Sequence, residues 1–342
     1  MNKKKKTHIT GRQTPTTNKH KRLRVAVIGA GNMGRHHIRH YASRPDTELV
    51  AVVDADIARA NEYAKKYKTK AFSNYKDVIK DGVDAVSVAV PTKLHKSVAS
   101  DFLNAGTHVL CEKPIAPNII DAQAMIDLAR KKKRVLTVGH IERFNPSVIR
   151  LKEMIRGGEL GEVKTMIFQR MGTLPPQIKE DNVLVDIGVH DIDIANFLLS
   201  SRPLKMYARG QKIFNAKRED VVDSMLIYPG ATVHLQTNWI TPHKVRRLTL
   251  AATKGYVELD FMSQDLRLWR HNYSHEYNDY GEFVMRFGQV NDAEIIEVSK
   301  EEPLKYELDA FMAAIQGKKS NYVLPEDARD ALMIALALNK AM

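Results

Sequence analysis

A single cysteine, Cys111, stands in a chain of 342 residues; it excludes an internal disulfide and fits a reducing compartment. No apolar run approaches the roughly 20 residues that cross a bilayer, and no apolar segment follows the charges of MNKKKK as a secretory leader would require. The expectation is a cytoplasmic protein with no membrane anchor. Acids are missing altogether from residues 1–24, which carry nine Lys or Arg. The formal charge of +13 is therefore mostly a tail, because the remaining chain holds 44 basic against 40 acidic residues. A nearly neutral body argues against a nucleic-acid-binding protein. Poor in apolar residues and uniform in sign, residues 1–22 read as a disordered, solubilising extension. No internal repeat is present either.

What is there begins abruptly at Leu23. LRVAVI (23–28), ELVAVVD (48–54), DAVSVAV (84–90), HVLC (108–111) and RVLTVG (134–139) are short, almost continuously apolar runs, as parallel strands buried on both faces are. Helix-like stretches at 33–43, 57–66, 95–104 and 119–130 alternate with them. Strand and helix in alternation predict an α/β, doubly wound parallel sheet over residues 23–140. Beyond it the rhythm changes. After a helix ending near Gly157 and Gly158, VKTMIFQRM, DSMLIYP, ATVHLQTNWI, RRLTLAAT and GYVELDF follow one another with turns instead of helices. Residues 141–342 thus form a second, α+β domain with a mainly antiparallel open sheet. Two closing helices, each opened by a proline, are expected to pack back on the first domain.

VAVIGAGNMGRHH supplies Gly29, Gly31 and Gly34 between a strand and a helix. The first glycine permits the tight turn, the second lets backbone approach a pyrophosphate, and the third lets helix pack on strand. Asn32 and Met33 lie inside this loop and join the candidate cofactor contacts. Asp54 ends the second strand, where a carboxylate accepts hydrogen bonds from an adenosine ribose and repels a 2′-phosphate. NAD is favoured over NADP, although Arg59 lies one turn further on.

HVLCEKPIAPN places Lys113 between an apolar strand and a proline that biases it away from helical torsions. Taken alone it is a solvated turn lysine. DIGVHDID sets Asp186 and His190 at i and i+4, on one helix face, with Gly188 between them where something must approach closely. An imidazole beside a carboxylate suits a general base. An N-cap aspartate beside an ordinary histidine fits the same spacing. A metal held by Asp186, His190 and Asp193 is disfavoured, because no further histidine or cysteine lies at a ligand spacing. In VGHIERFNP, Arg143 and Asn145 follow the last strand of the nucleotide domain; Arg143 could contact a sugar or a diphosphate, or form an interdomain salt bridge. Cys111 reads as a small buried residue and Trp239 as sheet packing.

The ordered set of glycine fingerprint with Asp54, AVPTKLH, EKP and D-x-G-x-H resembles the Gfo/Idh/MocA family of NAD(P)-dependent oxidoreductases over all of the chain after the tail. The resemblance implies that Lys113, Asp186 and His190 are catalytic and converge beside the nicotinamide. It also implies that Pro91, Thr92, His95, Glu112 and Lys113 line the cofactor. Many relatives carry a glycine run before D-x-G-x-H, where this chain has KEDNVLVD. VGHIERFNP and VDIGVHDIDIA are similar to the branch that oxidises nucleotide-linked amino sugars such as UDP-N-acetylglucosamine. That implies a 3-keto product, open to a downstream aminotransferase, with Lys113, Arg143, Asn145 and His190 meeting the substrate. The same resemblance implies a homo-oligomer, dimer or tetramer. A free-sugar or cyclitol dehydrogenase is the alternative, as is a non-catalytic dinucleotide-binding regulator; the latter would need none of Lys113, Asp186 and His190.

Overall fold

A computed structural model describes residues 22–174, 182–214, 216–270 and 293–342. The basic tail and part of the KEDNVLVD loop lie outside the described residues. Six parallel strands form the first sheet: β1 (Leu23–Ile28), β2 (Thr47–Val53), β3 (Lys70–Phe72), β4 (Ala85–Val88), β5 (His108–Cys111) and β6 (Leu136–Val138). Their order, β3-β2-β1-β4-β5-β6, reverses direction between β1 and β4. Ligands of open α/β sheets bind at such a switch point, beyond the carboxyl ends of the strands. Helices α1 (Gly34–Ser43), α2 (Ile57–Tyr67), α3 (Tyr75–Asp81), α4 (His95–Asn104) and α5 (Ile119–Lys132) cover the two faces. β3 and α3 are absent from the sequence reading, since a three-residue edge strand has no room for an apolar pattern.

The chain then enters α6 (Pro146–Arg156) and a second sheet built on β7 (Val163–Thr173). With α7 (Val189–Leu199) between, β8 (Lys205–Gln211), β9 (Val221–Tyr228), β10 (Ala231–Asn238), β11 (Ile240–Ala252), β12 (Gly255–Asp260), β13 (Asp265–Arg270) and β14 (Glu294–Ile295) follow. The eight described strands are ordered β14-β13-β12-β11-β7-β10-β9-β8. The sheet is mixed, because β10 runs parallel to β7 while the other neighbours are antiparallel. One face carries Met166, Phe168, Leu235, Leu248 and Leu250 into a core shared with α6 and α7.

The closing helices divide their packing. α8 (Pro303–Ile315) puts Leu304, Leu308, Phe311 and Met312 against Val25, Val27, Ile38 and Tyr41 of the nucleotide domain. α9 (Pro325–Ala341) straddles both domains: Ala328 and Leu332 join the first core, and Ala331, Ile334 and Leu338 join the second.

α8 also buries Glu307, and neither of its carboxylate oxygens has a hydrogen-bond partner. Burial, reinforced by the charge of Glu112, pushes its carboxyl well above the usual carboxylate range. The folded state therefore keeps a proton that the unfolded chain has released. That contribution to stability is complete below the unfolded value of about 4.3 and declines by up to ~1.4 kcal/mol per pH unit until the folded group ionises. Glu307→Gln should remove the decline. In thermal unfolding between pH 5 and 8, the variant should gain on the wild type as pH rises; a gap that stays constant across pH would sink this reading.

Candidate active site

Around the switch point the three fingerprint glycines divide their work as their spacing predicts. Gly29 has φ +95°, and a Cβ there would lie 2.4 Å from the Ala89 carbonyl oxygen after β4. A Cβ at Gly34 would strike the Gly29 carbonyl, whereas one at Gly31 would meet open space. α1 then starts at Gly34 with no side-chain cap; the N–H groups of Arg35, His36 and His37 donate to the Gly31 and Met33 carbonyls, so it is the loop ahead of them, at the positive end of the helix, that meets an anion. Asn32 is exposed and Met33 half-buried at this loop. Asp54 is held by two backbone donors, Ala30 N at 2.8 Å and Asp56 N at 2.9 Å. Arg59 reaches both of its carboxylate oxygens at 3.3 Å and Asp56 at 3.4 Å. A capless helix start over an open Gly31, with a fixed carboxylate on the next strand, fits a dinucleotide.

Pro91 is exposed and Thr92 half-buried; they follow Ala89 and Val90, whose backbone closes on Gly29. His95 does not face it as expected: it is 1% exposed, and its two ring nitrogens lie 2.9 Å from the Pro114 carbonyl and 2.8 Å from the Val90 carbonyl. It braces the turn after β4 against the turn after β5. Burial lowers its pKa. Glu112 is buried as well, with Oε1 2.9 Å from His37 Nε2 of α1. Its Oε2 accepts from the Lys113 backbone N–H at 3.2 Å. A Cβ at Gly139 would sit 2.9 Å from that carboxylate, so the glycine after β6 makes room for it. Glu112 ties the cofactor helix to the lysine turn.

Lys113 answers to the other domain. Its Nζ donates to the Asp186 carbonyl at 2.6 Å and lies 3.4 Å from the Asp186 carboxylate. Residues Leu184–Gly188 are wound as a π-turn before α7 begins, a device common at functional sites. The wider winding breaks the expected pairing of Asp186 with His190: the carboxylate turns to Lys113, and His190 Nδ1 is buried without a partner. Gly188 lies under neighbouring side chains: a Cβ would come 2.7 Å from Leu184 Cδ1 and 3.4 Å from Thr237 Oγ1, so any larger residue must push Leu184 aside. His190 is held well below the ordinary histidine range, first by burial, then by Lys113, Arg170, His140 and Arg246. At neutral pH it is an uncharged imidazole able to accept a proton.

Arg143 takes the interdomain role. Its Nε and Nη2 grip Asp193 at 2.7 and 2.6 Å, and Nη1 reaches Asp327 at 2.8 Å. The guanidinium stacks on Phe197 at 5.2 Å, and two carboxylates occupy its fork. Asn145 is 1% exposed; it caps α6 through Ser147 N and donates to the Phe261 carbonyl. Two carboxylates already balance the Arg143 charge and Asn145 is buried in a helix cap, so both expected substrate contacts are corrected to structural ones. Asp193, bound to Arg143, also leaves the metal set weighed for Asp186 and His190.

Residues the sequence reading passed over complete the site. Arg170 of β7 donates to Asp191 at 2.8 Å and Glu142 at 3.1 Å. Burial pushes Asp191 up to about 6 against the pull of Arg170. His140, fully buried, stands edge-on to His190 with ring centroids 6.3 Å apart. Arg246 of β11 pairs across the ladder with Arg170. A signal was available: Met166, Phe168, Arg170 and Leu250, Leu248, Arg246 each continue an apolar stripe into an arginine at the same end of the sheet.

Residues 23–140 match an oxidoreductase family with an NAD-binding Rossmann fold, and residues 148–258 match the GFO/IDH/MocA C-terminal domain. Among curated relatives, UDP-N-acetylglucosamine 3-dehydrogenase of Acidithiobacillus ferrooxidans is 28% identical over 94% of this chain and 97% of its own. A solved structure of that enzyme superposes with a TM-score of 0.82 at 25% identity, covering 94% of this chain and 98% of the other. Inositol 2-dehydrogenase of Corynebacterium glutamicum is 29% identical over 80% of this chain and 84% of its own. GenD2 from gentamicin A biosynthesis, solved in complex with NAD, shares the fold with a TM-score of 0.78 at 21% identity and 97% coverage of both chains.

Proposed function

The chain belongs to the GFO/IDH/MocA family of NAD(P)-dependent oxidoreductases acting on CH–OH groups, and from that premise we propose that it oxidises the 3-hydroxyl of a nucleotide-linked amino sugar, such as UDP-N-acetylglucosamine, with NAD as acceptor. The observation that carries the reading is Lys113: an ammonium delivered from the end of β5 to the π-turn before α7, beside a half-buried neutral histidine. The whole-length likeness to a UDP-N-acetylglucosamine 3-dehydrogenase supports the choice of sugar.

The Gly29–Gly34 loop, at the positive end of α1, and Asp54 would hold the dinucleotide. Bound there, its nicotinamide supplies the hydride acceptor that no side chain can. The chain's own residues handle the proton and the charge. His190, neutral at working pH, takes the hydroxyl proton as general base. Lys113 donates a hydrogen bond to the oxygen as negative charge develops on it. Asp186 fixes Lys113 through its carbonyl and carboxylate; it is a positioning residue for the ammonium. Asp54 favours the unphosphorylated ribose.

The test follows NADH formation with UDP-N-acetylglucosamine, free N-acetylglucosamine, glucose and inositol, with an aminotransferase and amino donor drawing off the ketone. The nucleotide sugar should be the substrate, with NAD used in preference to NADP and Asp54→Ala narrowing that preference. Reduction of NAD by inositol or a free sugar, with silence toward every nucleotide sugar, discards the amino-sugar reading.

A further inference from the structure

The substrate reading leaves one cation near the site with no carboxylate in contact with it among the described residues. Arg170 and Arg246 are directly opposed on β7 and β11, and like charges placed so repel. Arg170 is compensated by Asp191 and Glu142, although its Nη2 remains buried without an acceptor. Arg246 forms no ion pair among the described residues. Its Nη1 instead donates to the carbonyls of Met171 and Val245, which fixes the guanidinium plane and leaves Nε and Nη2 without a protein acceptor among the described residues. Burial and the neighbouring Arg170 hold its pKa below the ordinary arginine range.

Lys244 approaches the same spot. β11 leaves the register of β7 between Ile240 and Val245. A Cβ at Gly172 would lie 3.7 Å from Lys244 Cγ and 4.0 Å from Arg246 Nη1, so the two side chains meet over this glycine. The charge of Arg246 bears on His190, Asp191 and Asp186, placing the cationic corner at the edge of the catalytic cluster. Keeping a half-buried guanidinium without a carboxylate is costly, and a neutral cyclitol would not relieve it. A diphosphate would.

We propose that Arg246, assisted by Lys244, binds the diphosphate of a nucleotide sugar whose ring lies against Lys113 and His190; the proposal rests on the nucleotide-sugar reading. The unbonded edge of the Arg246 fork offers two parallel donors to phosphoryl oxygens. Because Nη1 is already anchored, little side-chain freedom is lost on binding.

UDP serves as the probe, titrated by calorimetry into the protein saturated with NADH, beside steady-state kinetics with UDP-N-acetylglucosamine. Arg246→Met should weaken UDP at least tenfold and raise KM for the nucleotide sugar by more than it lowers kcat, with NAD affinity unchanged. Lys244→Met should show a smaller shift in the same direction. If Arg246→Met does not fold, Arg246→Lys carries the test, since it keeps the charge without the fork and should still weaken UDP at least threefold. A wild type that oxidises the nucleotide sugar while the folded Arg246 variant binds UDP equally well overturns the clamp and leaves the substrate reading intact. A wild type that oxidises inositol and ignores UDP overturns both.

Discussion

Lys113→Met should reduce turnover by a factor of roughly 10² to 10³, the scale of removing one donor to a developing oxyanion, while NAD binding stays close to wild type. The cofactor contacts assigned to Gly29, Gly31, Gly34 and Asp54 do not depend on the ammonium, which is held by the carbonyl and carboxylate of Asp186. A second readout separates a chemical role from a structural one. Lys113 is the strongest of the charges that depress His190. Removing it should let the imidazole pKa rise, so the acid limb of the residual kcat/KM profile should move to higher pH. Steady-state kinetics across pH and cofactor titration by fluorescence check both. Near-wild-type turnover would remove Lys113 from the chemistry, and loss of NAD binding would make it a structural residue.

Arg143→Met should be the most destabilising single change proposed here, costing about 3–5 kcal/mol because it strands a buried carboxylate. Asp193 is 1% exposed and is gripped through both oxygens. Its counter-ion also joins the turn after β6 to Asp327 at the start of α9. Thermal unfolding should show the loss. Arg143→Met combined with Asp193→Leu should recover much of it, since removing both partners leaves no orphan charge. A single variant as stable as the wild type, with a raised KM for nucleotide sugar, would return Arg143 to the substrate.

Continuous apolar runs located β1, β2, β4, β5 and β6, because strands buried on both faces have no polar positions to dilute the pattern. The strands missed have less to show. β3 is three residues long, β8 alternates half-buried with exposed positions at a sheet edge, β13 follows a tight turn, and β14 is two exposed residues. The glycine fingerprint was legible because its requirements are local: one positive φ, one open approach and one close helix contact.

The amino-acid order by itself determined a parallel sheet followed by a mainly antiparallel one, and the identities of Lys113, Asp186 and His190 as residues worth watching; the strand order that puts the switch point beside Gly29 came from the structure. It could not assign their partners. Spacing of i and i+4 put Asp186 with His190, and a π-turn sent it to Lys113, 73 positions away in sequence. Arg143 and Arg246 show the same limit from opposite sides. Both are arginines beside the site, one held by two carboxylates from distant helices and the other opposed to a second arginine across a ladder. Local sequence specifies backbone torsions and apolar faces, whereas the counter-charge of a buried ion comes from whichever segment the fold packs against it. Whether an arginine holds domains together or awaits an anion was therefore decided by tertiary contacts alone.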